Sequence, residues 1–234
     1  MSNEKIELRN YNNLTKTLGF NAYNFFRVKS SEDKKAAADH IKEYFNPKRL
    51  ADILRGVSGV IGACILDMSA YNYEPLAASV NCLIAEESHR PDFPNGGLSG
   101  HLDKSHIAAH TYPEDDPTSG SFLIRTDMDV STCGLVSPLA ALNYLIGAFE
   151  PEIVILDYRV RGFIRGEKEK KFYTDHEIDS IQNFIDKNIL DKYFKEDRNL
   201  RSANFFHTRM ASASIAEKSG GVFESEVMEI FYEK

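Results

Sequence analysis

Runs in which every second residue is apolar recur along this chain, and many of the links between them are too short to hold a crossover helix. "TKTLGFNAYNFFRV" (15–28), "SGVIGACILDM" (58–68), "AASVNCLIAEE" (77–87), "GSFLIRTDMDVSTCG" (120–134) and "EIVILDYRVRGFIR" (152–165) all read as strands. Parallel strands need long returns, so these strands must pair mostly antiparallel. The expected fold class is α+β: a largely antiparallel sheet with helices packed on one face, formed as a single domain over 1–234.

Helical segments are fewer. Ser31 is expected to cap a helix running to about Phe45, and Pro47 to open a second one ending near Gly56. "SPLAALNYLIGAFE" (137–150) reads as a helix with Ser137 at the cap and Pro138 behind it; "TDHEIDSIQNFIDKNIL" (174–190) reads as another, capped by Thr174 or Asp175. "SHRPDFPNGGLSG" (88–100), with its prolines and glycines, is a loop. Beyond about Asp191 the pattern weakens to one strand, "NFFHTRMAS", and a last helix, "ESEVMEIFYEK".

The balance of 28 Lys+Arg against 35 Asp+Glu gives a net charge of −7, which repels nucleic acid and anionic lipid and favours a cationic small molecule. The charged start "MSNEKIELRN" leads into no apolar core and no run approaches the ~20 apolar residues of a membrane span, so a cytoplasmic protein is expected. Cys64, Cys82 and Cys133 are too widely spaced for a disulfide framework or a zinc ribbon. Cys64 and Cys82 read as small core residues. Cys133, in "STCG" at a strand end before a helix start, is placed where a thiol can be tuned.

The densest chemistry lies in "GHLDKSHIAAHTYPEDD" (100–116), where Lys104, Ser105, His106 and His110 crowd one short strand. As zinc ligands the two histidines fail, because residues four apart on a strand stand ~13 Å from each other. No metal site is expected. Asp127 and Asp129 read as a charged outer face rather than an acid/base pair, and "RVRGFIRGEKEKK" as a solvated hairpin tip.

In "HLDKSHIAAHTYPE", followed by "DVSTCGLVSPLAALNYLI", "DYRVRGF" and "DHEIDSIQNFI", the chain resembles the bacterial S-adenosylmethionine decarboxylase proenzymes, in their long enterobacterial form. The likeness runs from "YNNLTKTLGF" to "NFFHTRM". It implies self-cleavage between Lys104 and Ser105, giving a β chain of 1–104 and an α chain of 105–234 with a pyruvoyl group made from Ser105. It also implies a Schiff base between that group and the substrate amine, loss of CO₂, and return of one proton to Cα. An ordinary thiol, with a reference pKa of ~8.5, carries such a proton at neutral pH, and the family's donor matches Cys133. His110 matches the family histidine of self-cleavage. Since Ser105 and His110 are five apart and should face opposite ways on a strand, a turn or bulge at Ser105 is expected.

Tyr112 and Glu114 match an aromatic and a carboxylate near the nucleoside, suited to adenine stacking and ribose hydroxyls. S-adenosylmethionine is thus the implied substrate, its product the aminopropyl donor for spermidine synthesis, with Mg²⁺ stimulation and an oligomer of αβ units carried by the same likeness. Two rivals stand beside this reading: arginine or ornithine decarboxylation on the same machinery, and a non-catalytic paralogue that activates another copy. Ser99 and His106 receive no role.

Overall fold

The computed structural model describes residues 14–86, 105–116, 121–165, 170–212 and 215. Its centre is an eight-stranded sheet in the order β2-β3-β4-β5-β1-β6-β10-β9, with every neighbouring pair antiparallel. In chain order the strands are β1 (Thr15–Arg27), β2 (Ala63–Tyr73), β3 (Ala77–Glu86), β4 (His106–Asp116), β5 (Ser121–Cys133), β6 (Ile153–Arg161), β9 (Tyr193–Asp197) and β10 (Phe205–Ser212); β7 (Ile164–Arg165) and β8 (Lys171–Phe172) form a separate two-stranded ribbon. The α+β expectation therefore holds.

The long pairing of β1 with β5, from Thr15 opposite Cys133 to Arg27 opposite Ser121, fixes which residues share a face. Leu18, Phe20 and Ala22 alternate inward. They join Met128, Val130, Leu156 and Tyr158 in one cluster with residues of the helices α1 (Ser31–Tyr44), α2 (Pro47–Val60) and α3 (Leu142–Phe149). α1, α2 and α3 thus lie on one face, as expected. The opposite face carries Asp127, Asp129 and Asp157 at its middle and a small apolar cluster of Phe25, Leu123, Ile153, Ala211 and Ile215 toward one end.

Several boundaries move. Ser30, not Ser31, caps α1, accepting from the Asp33 N–H at 3.1 Å. α2 continues past Gly56 to Val60, because that glycine serves a close helix approach: a Cβ there would lie 2.0 Å from the Tyr144 hydroxyl of α3. The "SGVIGACILDM" strand consequently starts only at Ala63, after Gly62 has turned the chain at φ 71°. Pro138–Ala141 is a 3₁₀ turn, and Ser137 makes no side-chain cap bond to it. β6 stops at Arg161, and Gly162 at φ 87° redirects the chain.

The largest departure is 174–190. The expected helix is reduced to a 3₁₀ turn, Ile181–Phe184, and a single helical turn, α4 (Lys187–Leu190). Asp175 is not a cap, because its carboxylate accepts from Lys16 Nζ and pairs with His176. Ser180 instead opens the 3₁₀ turn, accepting from the Gln182 N–H at 3.0 Å. The segment runs open across the helix-bearing face, burying Ile181 and Ile185. "ESEVMEIFYEK", the 88–100 loop with Ser99, and Lys104 lie outside the described residues.

Candidate active site

Ser105 stands one residue before the first β4 pair, His106 opposite Ser131, and is only 5% exposed. Its carbonyl accepts from the Ile84 N–H of β3 at 3.2 Å. Its hydroxyl oxygen accepts from the Cys133 N–H at 3.2 Å and lies 3.0 Å from Cys133 Sγ. Strands on both sides therefore hold the serine, and its reactive atom meets the thiol at the end of β5.

Cys133 is half-buried, and Gly134 at φ 67° follows it. Thr132 Oγ1 closes that turn by donating to the Val136 carbonyl at 2.9 Å. The pairing of Cys133 with Thr15 places the cysteine in phase with Asp129 and Asp127, on the face opposite α1, α2 and α3. Cys82 is a core residue, as expected, with its thiol pushed up to about 11 by burial and by the nearby Asp67 charge.

His110 is not beside Ser105. β4 keeps an unbroken register against β3 and β5 from His106 to His110. His110 pairs with Asp127 on the open face, and at ~3.3 Å per residue its Cα stands roughly 16 Å from that of Ser105. Tyr112 and Glu114, on the same face, lie roughly 23 and 30 Å along the strand by the same measure. They line a cavity of about 390 Å³ with Tyr23, Leu123 and Arg125, whose guanidinium stacks over the Tyr112 ring at 4.5 Å. A straight strand thus separates Tyr112 and Glu114 from the Ser105 of their own chain. A larger cavity, about 740 Å³ between α2 and α3, contains none of these residues.

Along the open face between the two ends, Asp129 and Asp157 both pair across Gly19 of β1. The Asp129 carboxyl is raised by partial desolvation and by the Asp127 and Asp157 charges, against the opposing pull of His106 and His110. Its side chain still reaches solvent, which tempers the effect.

One cluster escaped the sequence reading. Lys16 is 1% exposed on the helix-bearing face, and its Nζ donates to Asp175 Oδ2 at 2.5 Å. The other oxygen of Asp175 pairs with His176 Nδ1 at 2.6 Å, and His176 Nε2 meets the Tyr158 hydroxyl at 3.3 Å. Burial and the Asp175 charge push the Tyr158 phenol up. The signal was present, because Lys16 falls in phase with Leu18, Phe20 and Ala22, where a charge must find a partner.

Residues 45–162, which include Ser105, His110 and Cys133, match the family model described as S-adenosylmethionine decarboxylase. The S-adenosylmethionine decarboxylase proenzyme of Alkaliphilus oremlandii (strain OhILAs) is 46% identical, with 97% of this chain and 88% of that protein aligned. The protein of the same name from Clostridium botulinum (strain Eklund 17B / Type B) is 45% identical over the same shares. The crystal structure of the adenosylmethionine decarboxylase from Aquifex aeolicus VF5 is 17% identical and superposes with a TM-score of 0.37, covering 72% of this chain and 100% of that one. At that level the superposition adds nothing to the topology above.

Proposed function

The chain belongs to the S-adenosylmethionine decarboxylase family, and from that premise we propose that it is a self-processing decarboxylase of S-adenosylmethionine, cut between Lys104 and Ser105 and using Cys133 as its proton donor. The observation that carries this reading is the 3.0 Å approach of Ser105 Oγ to Cys133 Sγ. A pyruvoyl group at position 105 supplies an electrophilic carbonyl and a sink for the electron pair that departing CO₂ leaves behind. The residues present fit such a group: position 105 is sheltered from water, held between β3 and β5, and faced by an N–H and a thiol.

Before cleavage, the Cys133 N–H donates to the Ser105 hydroxyl oxygen and fixes its direction for attack on the preceding carbonyl. After it, the thiol is positioned to hold a proton for the substrate Cα. The role of His110 in cleavage rests on the resemblance alone. It requires the start of β4 to leave the path it takes here, because His110 cannot span five strand positions.

Tyr112 and Glu114 keep their proposed place at the nucleoside, but in another copy. A two-fold pairing of the open faces would lay the Tyr112 end of one chain over the Cys133 end of the next, and reciprocally. This gives the expected oligomer of αβ units a chemical reason. Mg²⁺ stimulation, carried by the resemblance, is checked by titrating the metal into metal-free enzyme. The relatives' name favours S-adenosylmethionine over arginine or ornithine. The test is intact mass with and without borohydride in the presence of each candidate: a trapped adduct on the larger chain with S-adenosylmethionine supports the reading, and an adduct with arginine or ornithine alone overturns the substrate.

A further inference from the structure

The chain Lys16–Asp175–His176–Tyr158, buried at Lys16 and Tyr158, spans elements far apart in sequence, its two charged members standing 159 positions apart. Lys16 donates to one carboxylate oxygen, His176 Nδ1 meets the other, and the Tyr158 hydroxyl completes the chain at Nε2. Stability alone is a weak reason for such an arrangement. Desolvating two charges offsets much of their attraction, and an apolar pair of similar size is often equally stable or more so.

Its position suggests another reason. Lys16 lies in β1 directly opposite Thr132, while its neighbours Thr15 and Thr17 lie opposite Cys133 and Ser131. On its other side, Lys16 is opposite Val160 of β6. The residue that the network grips is therefore the rung beside the thiol. Thr132, paired with Lys16, also closes the turn after Cys133 through its bond to Val136. A shift of β1 along β5 at this point would move Cys133 relative to Ser105.

We infer that Lys16 and Asp175 are positioning residues: by pinning the start of β1 to the 174–186 segment, they fix the height of the Cys133 thiol over the Ser105-derived centre. This rests on the function proposed above. With the thiol misplaced, the proton reaches the carbon derived from Ser105 instead of the substrate Cα. Addition of water then releases the substrate portion as an aldehyde, and its nitrogen stays on the chain as an alanyl amine terminus.

Three variants test the inference: Lys16→Met, Asp175→Asn, and the apolar pair Lys16→Met/Asp175→Leu. Each is followed by melting temperature, half-time of self-cleavage, and the ratio of alanyl to pyruvoyl termini by intact mass after a fixed number of turnovers. Because ångström-scale misplacement costs up to about 100-fold, cleavage should slow and alanyl termini accumulate by roughly 10- to 100-fold per turnover in all three. The apolar pair is expected to do so while melting near the wild-type temperature. Wild-type cleavage and terminus ratio in the apolar pair or in Asp175→Asn would overturn the inference and leave the network purely structural. Should the apolar pair not fold, Asp175→Asn, which keeps the shape of the side chain, decides the matter alone. Failure of the wild-type protein to cleave would instead defeat the underlying functional reading, so the two failures are distinct.

Discussion

Ser105 Oγ and Cys133 Sγ lie 3.0 Å apart although they stand 28 positions apart in the chain. The sheet brings them together: β4 begins and β5 ends at the same edge, so residues just outside the last pair, His106 with Ser131, meet across it. A hydroxyl and a thiol at a common strand end can serve two reactions in turn, one on the chain and one on a substrate.

Maturation should therefore yield two chains. Cleavage before Ser105 gives pieces of 104 and 130 residues (234 − 104 = 130), the larger with a blocked terminus. Ser105→Ala should remain a single chain on a denaturing gel. A wild-type protein that decarboxylates while uncut would disprove the processing step.

Cys133→Ala and His110→Ala should separate the two reactions. The Cys133 variant keeps the backbone N–H that points at Ser105 and should still be cut, while its turnover falls by about 10²–10⁴, the usual worth of general acid catalysis. His110→Ala should slow cleavage. If it is cut at the wild-type rate, the regular path of β4 is also the path of the reacting chain, and His110 has no part in processing.

Much of this architecture can be read from the sequence, because alternation and turn residues act locally. β1 and β10 alternate over most of their length, and α1 and α2 show their polar caps and first-turn proline. What misleads is tertiary. The apolar spacing of Ile178, Ile181 and Ile185 suits a helix, yet Lys16, far upstream, claims Asp175 and holds the segment open. β9 was not expected because it is a short polar edge strand whose pairing with β10 no local pattern announces. Ser105 and Cys133 were legible as chemistry, but the separation of Tyr112 from them appears only once β4 is known to run straight.

Acid should expose the Lys16 network. Burial pushes the Asp175 carboxyl up, but its bonds to His176 and Lys16 outweigh this and hold it below the ordinary carboxylate value. A depressed folded-state pKa contributes stability above the unfolded value, ~3.9, and that contribution is lost as pH falls through the folded one. The melting temperature of Asp175→Asn should thus lie below that of wild type at pH 6, with the gap narrowing as pH drops below 4. A gap that is constant with pH would show that the charge of Asp175 is not what stabilises the fold.

Tyr112 offers the test of how the site is assembled. It is exposed, stacked under Arg125, and too far along β4 to touch a substrate held at its own Ser105. If it serves the neighbouring copy, Tyr112→Ala and Cys133→Ala damage different halves of one shared site. Each variant alone should be weak, since loss of base stacking is worth ~1–3 kcal/mol, one to two decades in affinity. Expressed together in equal amounts, half of the two-fold dimers are mixed, and each mixed dimer has one site with Cys133 and Tyr112 both intact. Release of ¹⁴CO₂ from carboxyl-labelled S-adenosylmethionine should then recover to about a quarter of the wild-type rate. Were Tyr112 to act within its own chain, mixing would restore nothing, because neither partner could supply a complete site.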